Sequence, residues 1–123
     1  MLVYRIWLAL GAVMGAVAVA AAAYAAHAAV DPARLRAISS AVQMQGWHAL
    51  ALVACGLLGA VGGWPVHVAG TLFLLGTILF AGAAWSPTLG GPALGLVAPA
   101  GGTMLMAGWV ALAFAALRAP GSP

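Results

Sequence analysis

The side chains best equipped for chemistry are His27, Gln45 and His48, with Met44 beside them and Met104 and Met106 further along. Imidazole and thioether groups suit copper or haem iron. His27 closes one apolar run and His48 opens the next, with a polar stretch between them. Antiparallel packing of the two runs would then bring both imidazoles to one membrane face. No His-x-x-x-His or Cys-x-x-Cys spacing supports a metal, and the methionines are equally well explained as packing filler. The favoured reading is a structural polar clasp, each imidazole bonding to Gln45, Tyr24 or a backbone carbonyl and fixing the helices. A copper or haem site on His27 and His48 is the alternative. No other cofactor and no committed metal ligand set is expected.

Other chemistry finds little support. Asp31 is the one acidic residue, so no carboxylate pair exists for acid–base work. No Ser/His/Asp or Cys/His constellation can be assembled, and proton coupling would need membrane-embedded acids. The chain is therefore read as non-enzymatic. Cys55 lies inside an apolar run and reads as a small buried hydrophobe, and His67 as a residue of the opposite membrane interface. Gly101-Gly102 after Pro99 reads as close helix contact rather than a broken helix aimed at an ion.

The elements that hold these residues follow from composition. Of 123 residues, 66% are hydrophobic and 4% charged, against roughly a quarter charged in an ordinary soluble domain. Lipid is the expected solvent, and the length fits one domain. Arg5, Arg34, Arg36 and Arg118 are dispersed, which excludes a nucleic-acid footprint; they read as charges flanking membrane spans.

Four spans are expected, at about 6–29, 47–63, 66–85 and 98–117. The first resembles a signal peptide in its Ala-x-Ala triplets but exceeds the usual h-region of about 7–15 residues, so it is read as a retained span. Asp31-Pro32 is a helix start, an N-cap followed by a first-turn proline. Leu35, Ile38 and Val42 then share one face opposite Arg36, Ser39, Ser40 and Gln43. That pattern predicts a short amphipathic helix over 32–45 lying on the membrane surface. Gly46 is expected to turn the chain and Trp47 to mark the interface. Gly63-Trp64-Pro65 and Ser86–Pro92 read as turns. The fold class is thus an all-α membrane protein of four transmembrane helices plus one interfacial helix. Helix packing is expected through Gly11, Gly15, Gly56, Gly59, Gly63, Gly82, Gly101, Gly102 and Gly108, where small residues let backbones approach. The same faces suggest a homo-oligomer or a subunit of a larger membrane complex. An even number of spans puts both termini on one side; arginines divide two against two, which leaves orientation open.

The ordered runs Ala22–His27 (AAYAAH), Gln43–Leu52 (QMQGWHALAL), Leu75–Trp85 (LGTILFAGAAW) and Pro99–Trp109 (PAGGTMLMAGW) resemble the YgdD-like family of small bacterial inner-membrane proteins, which has a mitochondrial relative in animals. The resemblance spans nearly the whole chain. It implies a four-helix protein of the bacterial inner membrane with both termini cytoplasmic, and it implies no established activity. It points to His27, Gln45, His48, Gly82, Pro99, Gly101, Gly102, Gly108 and Trp109. The chain departs from the family pattern at Tyr24-Ala25-Ala26-His27, where Phe-Gly-Ala-His is usual. It departs again at Ala81-Gly82-Ala83, where Ser-Gly-Ser is usual, and so loses two hydroxyls along the third span.

Overall fold

A computed structural model describes residues 2–118. Four helices follow one another: α1 Leu2–His27, α2 Pro32–Gly62, α3 Trp64–Trp85 and α4 Val97–Arg118, with a 3-10 turn at Pro87–Leu89 before α4. All four are long and apolar enough to cross a membrane, with mean hydropathies of 2.2, 1.5, 1.8 and 1.7. From Trp64 to Trp85, 21 residue steps at about 1.5 Å cover roughly 32 Å, close to the ~30 Å hydrocarbon layer. The two tryptophans are thus spaced to stand at its two limits, where indoles favour the interface.

α2 differs from the sequence expectation. It is a single 31-residue helix that passes through Gly46 without interruption, so no separate surface helix forms over 32–45. A mid-helix glycine costs only about 1 kcal/mol. The residues before it are fixed by packing instead: Ile38 and Ala41 are completely buried and Gln45 nearly so. Of the stripe assigned to the membrane surface, Ile38 packs into the bundle while Leu35 stays exposed, and a helix continuous through Gly46 keeps its backbone groups bonded where lipid offers no partner. Trp47 consequently sits half-exposed at mid-helix, not at an interface. Only the start of α2 keeps its expected form. Asp31 caps it by accepting the Arg34 N–H at 3.0 Å, with Pro32 in the first turn. That amide, with the guanidinium of Arg34 at 3.5 Å, holds the exposed Asp31 carboxyl below the ordinary carboxylate range.

α2 and α3 form the centre, joined by Gly63 alone, whose φ of 66° is open to glycine without steric cost. Adjacent helices run antiparallel. α1 lies on α2, where a Cβ at Gly11 would sit 2.8 Å from the Ala49 carbonyl and one at Gly56 would sit 2.9 Å from the Leu8 amide. Gly59 receives the Tyr4 ring. α4 lies on α3 in the same manner: a Cβ at Gly101 would meet the Phe80 amide at 2.6 Å, and one at Gly108 the Phe73 ring at 2.7 Å. In lipid the greasy surface is no driving force for helix association, so such close backbone approach supplies the packing energy. The core joins Trp7, Met14, Leu52, Cys55, Val66, Phe73 and Leu105.

Candidate functional site

Two indole–imidazole pairs fasten the outer helices to the inner ones. His48, 3% exposed, stands on α2. Trp109 on α4 donates its indole N–H to His48 Nε2 at 3.0 Å, and His48 Nδ1 lies 2.6 Å from the Met44 carbonyl. An indole nitrogen can only donate, so Nε2 accepts and the proton resides on Nδ1. Both ring nitrogens are then satisfied by a neutral imidazole. Phe73 closes the cluster, its ring centroid 5.5 Å from His48 and 5.0 Å from Trp109.

The second pair lies nearer the end that holds the starts of α1 and α3. Trp7 donates its indole N–H to His67 Nδ1 at 3.0 Å. Tyr4 stacks on the same imidazole, with centroids 5.2 Å apart and planes 16° from parallel. The Trp7 ring fits against Gly70, where a Cβ would come within 2.8 Å of it. His67, expected as a plain interface residue, is therefore half-buried and bonded to α1. At the same end the Arg118 guanidinium lies 5.7 Å from the Trp64 ring and 5.6 Å from the Phe114 ring, an anchoring of the α4 end by cation–π attraction.

Gln45, one turn before His48, faces the other neighbour. Its amide donates to the Met14 carbonyl on α1 at 3.1 Å in a buried setting. Gln45 and His48 thus tie α1 and α4 to the same stretch of α2, and the clasp anticipated from the sequence has Trp109 and two backbone carbonyls as its partners.

His27 does not join them. It is exposed at the end of α1. Ala49 faces Gly11 and Gly15, so His48 is level with that part of α1 and His27 lies 12 to 16 residues further on. At about 1.5 Å per residue the two imidazoles are roughly 20 Å apart, whereas metal–nitrogen bonds are about 2.0–2.1 Å long. They cannot share an ion. The expectation of a common membrane face fails because α2 is continuous: without a turn at Gly46, His48 lies beside mid-span Phe73. Among the described residues, no group of three or more His, Cys, Asp or Glu side chains gathers as metal ligands. Met104 and Met106 lie on α4, and Met106 points mostly outward.

The expected packing glycines divide into two sets. Gly11, Gly56, Gly59, Gly101 and Gly108 are spent on contacts within the chain, and Gly63 forms the turn. Gly82 has nothing within 4 Å of where a Cβ would stand, while Gly15 and Gly102 have only ordinary contacts at 3.8 and 3.9 Å. Gly46 is likewise open.

Sequence reasoning missed the two tryptophan donors as partners of the histidines, and the expectation that the hydroxyls of Thr71 and Thr77 bond to their own helix or a neighbouring one holds for Thr71 and not for Thr77. Thr71 and Thr103 donate to their own helix carbonyls four residues back, at 2.9 and 2.8 Å. Thr77, 3% exposed, has a buried hydroxyl without a partner. Spacing alone gives no sign of this difference.

Four helices, each long and apolar enough to cross a membrane, with Gln45 and His48 turned inward, define a small multi-pass helical membrane protein. More specifically, the chain belongs to the family described as Protein of unknown function (DUF423), which it matches over residues 20–102. It is 30% identical over 121 residues to a UPF0382 membrane protein of Staphylococcus epidermidis (strain ATCC 12228 / FDA PCI 1200), covering 95% of this chain and 99% of that protein. It is 29% identical, with the same coverage, to a UPF0382 membrane protein of Staphylococcus aureus (strain bovine RF122 / ET3-1). No solved structure matches it.

Proposed function

We propose that this protein acts in the plane of the bacterial cytoplasmic membrane through helix–helix contact, as a self-associating unit or as an accessory subunit of a larger membrane complex, and performs no catalysis of its own. One observation carries the reading. The outer seam of α1 and α2 holds a hollow of about 430 Å³ lined by Gly11, Ala12, Gly15, Ala18, Gly46 and Ala49, with Leu50 and Val53 as walls. Gly15 and Gly46 meet no close neighbour there, so their small size is not required by the packing of the protomer. A floor of small residues between larger ones admits the ridge of another helix. The proposed orientation has both termini in the cytoplasm, with the Asp31 and Ser86–Gly95 connections outside; it follows from the family resemblance and is tested by reporter fusions at residue 123 and within 88–92.

Gly46→Leu is the decisive variant, because its Cβ would meet nothing within 4 Å and its side chain extends into the hollow. In lipid nanodiscs, single-molecule photobleaching should report more than one copy for the native chain and one for Gly46→Leu, with equal helical content by circular dichroism. If association is absent but a membrane partner co-purifies with the native chain and is lost with Gly46→Leu, the accessory role is the correct one. A strictly monomeric chain with no partner from native membranes would sink the proposal.

A further inference from the structure

α1 and α3 run parallel on α2 and are joined by ring contacts at both ends. Trp7 meets His67 at one end, and the Tyr24 and Trp85 rings meet at the other with centroids 5.6 Å apart. Between these contacts lies a furrow open to lipid, made of two hollows of about 220 and 350 Å³ that share Val17 and Gln45. Its lining is almost wholly apolar, and the two polar residues in its deeper part are Gln45 and Thr77. Gln45 uses one amide hydrogen on Met14 and has a second to donate. Thr77 has a hydroxyl, buried, with no acceptor at all.

An unpaired hydroxyl in hydrocarbon is costly, since no water is present to satisfy it. The two other threonines in the long helices, Thr71 and Thr103, show how readily an α-helix satisfies such a group by itself. We propose that the α1–α3 furrow binds a hydrocarbon-soluble molecule bearing a carbonyl oxygen on an apolar chain, of the quinone class, with the carbonyl accepting from Thr77 and Gln45. A spare amide hydrogen on Gln45 and an unpartnered hydroxyl on Thr77, both residues lining one hollow, call for an acceptor, which a carbonyl is and an alkyl chain is not. Depth decides between kinds of lipid. Thr77 lies eight residues before Trp85, roughly 12 Å below the level that Trp85 marks. Glycerolipid carbonyls stay at the headgroup boundary, whereas a quinone-type carbonyl dissolved in the membrane interior reaches that depth. The hydroxyl oxygen is covered in the present packing, so binding requires Thr77 to turn about its Cα–Cβ bond. A threonine in a helix has two accessible χ1 positions for such a turn. The furrow uses a different stripe of α1 from the small-residue hollow, so this inference stands apart from self-association.

The test uses the full chain in nanodiscs of saturated phosphatidylcholine, with a decyl-substituted 1,4-benzoquinone as probe and decylbenzene as its carbonyl-free counterpart. The Thr77 methyl resonance should shift saturably with the quinone, reporting the rotamer change, and not with decylbenzene. Thr77→Val should weaken quinone binding about tenfold, the effect of one lost hydrogen bond at the upper end of its range. Thr77→Ser should retain it. Val17→Trp, which plugs the furrow from its lipid side and leaves both polar residues in place, should abolish it. Equal binding of decylbenzene, or undiminished quinone binding by either Thr77→Val or Val17→Trp, would overturn the assignment and leave an apolar furrow filled by ordinary acyl chains.

Discussion

The two tryptophan–histidine pairs use the same donor, the same kind of acceptor and the same 3.0 Å separation, yet they sit in different surroundings. His48 is sealed among Phe73, Trp109 and the α2 backbone, and both of its nitrogens are bonded. His67 is half-buried near the end of the bundle, bonded through Nδ1 and stacked on Tyr4. A hydrogen bond gains most where its loss leaves a group that nothing else can satisfy. His48 is in that position. His67 is only half-buried and lies near a helix end, so the depth of burial rather than the bond itself separates the two.

The largest effect should come from His48→Ala. It leaves a cavity beside Phe73 and strands the inward-facing Trp109 N–H, and a loss of about 2–4 kcal/mol is expected from buried large-to-small changes. SDS-titrated unfolding in mixed micelles, followed by circular dichroism, measures it, and His67→Ala should lose less. The reverse order would break the comparison.

Double-mutant cycles separate bond from bulk. The His48/Trp109 coupling, taken with Ala and Phe replacements, should approach the upper end of interhelical bonds in membranes, about 1.7 kcal/mol. The His67/Trp7 coupling should fall near their mean of about 0.6 kcal/mol. Equal couplings would show that burial does not matter here.

A smaller effect is expected outside the bilayer. The folded state holds the Asp31 carboxyl below its ordinary value, so its contribution is complete above the usual carboxylate range near 3.9. It is lost as pH falls through the lowered value. Asp31→Asn should therefore remove a slight acid-side decline in thermal stability and leave the profile between pH 5 and 8 unchanged. A change within that window would point to a histidine instead.

The last measurement involves no stability at all. The Trp109 donor fixes His48 as the Nδ1–H tautomer, while the Trp7 donor fixes His67 as Nε2–H when neutral. Nitrogen-15 spectra of histidine-labelled protein in bilayers should show one ring of each kind. Two rings of the same tautomer would remove one of the bonds.

Much of the architecture is legible in the residues. Apolar runs longer than a bilayer is thick can be satisfied only as helices, because lipid offers backbone groups no partner. Asp31-Pro32 and Gly63-Trp64-Pro65 mark two of their boundaries by local chemistry. Tertiary contact decided the remainder. Whether Gly46 bends α2 depended on where Ile38 and Ala41 found burial. That outcome carried His48 from an interface to mid-span and away from His27. Which indole meets which imidazole depended on helix neighbours some sixty residues apart in the chain. Periodicity reports which face of a helix is apolar, but in a protein greasy on every side it cannot say which face meets another helix and which meets lipid. Close packing makes that choice, and only the assembled bundle contains it.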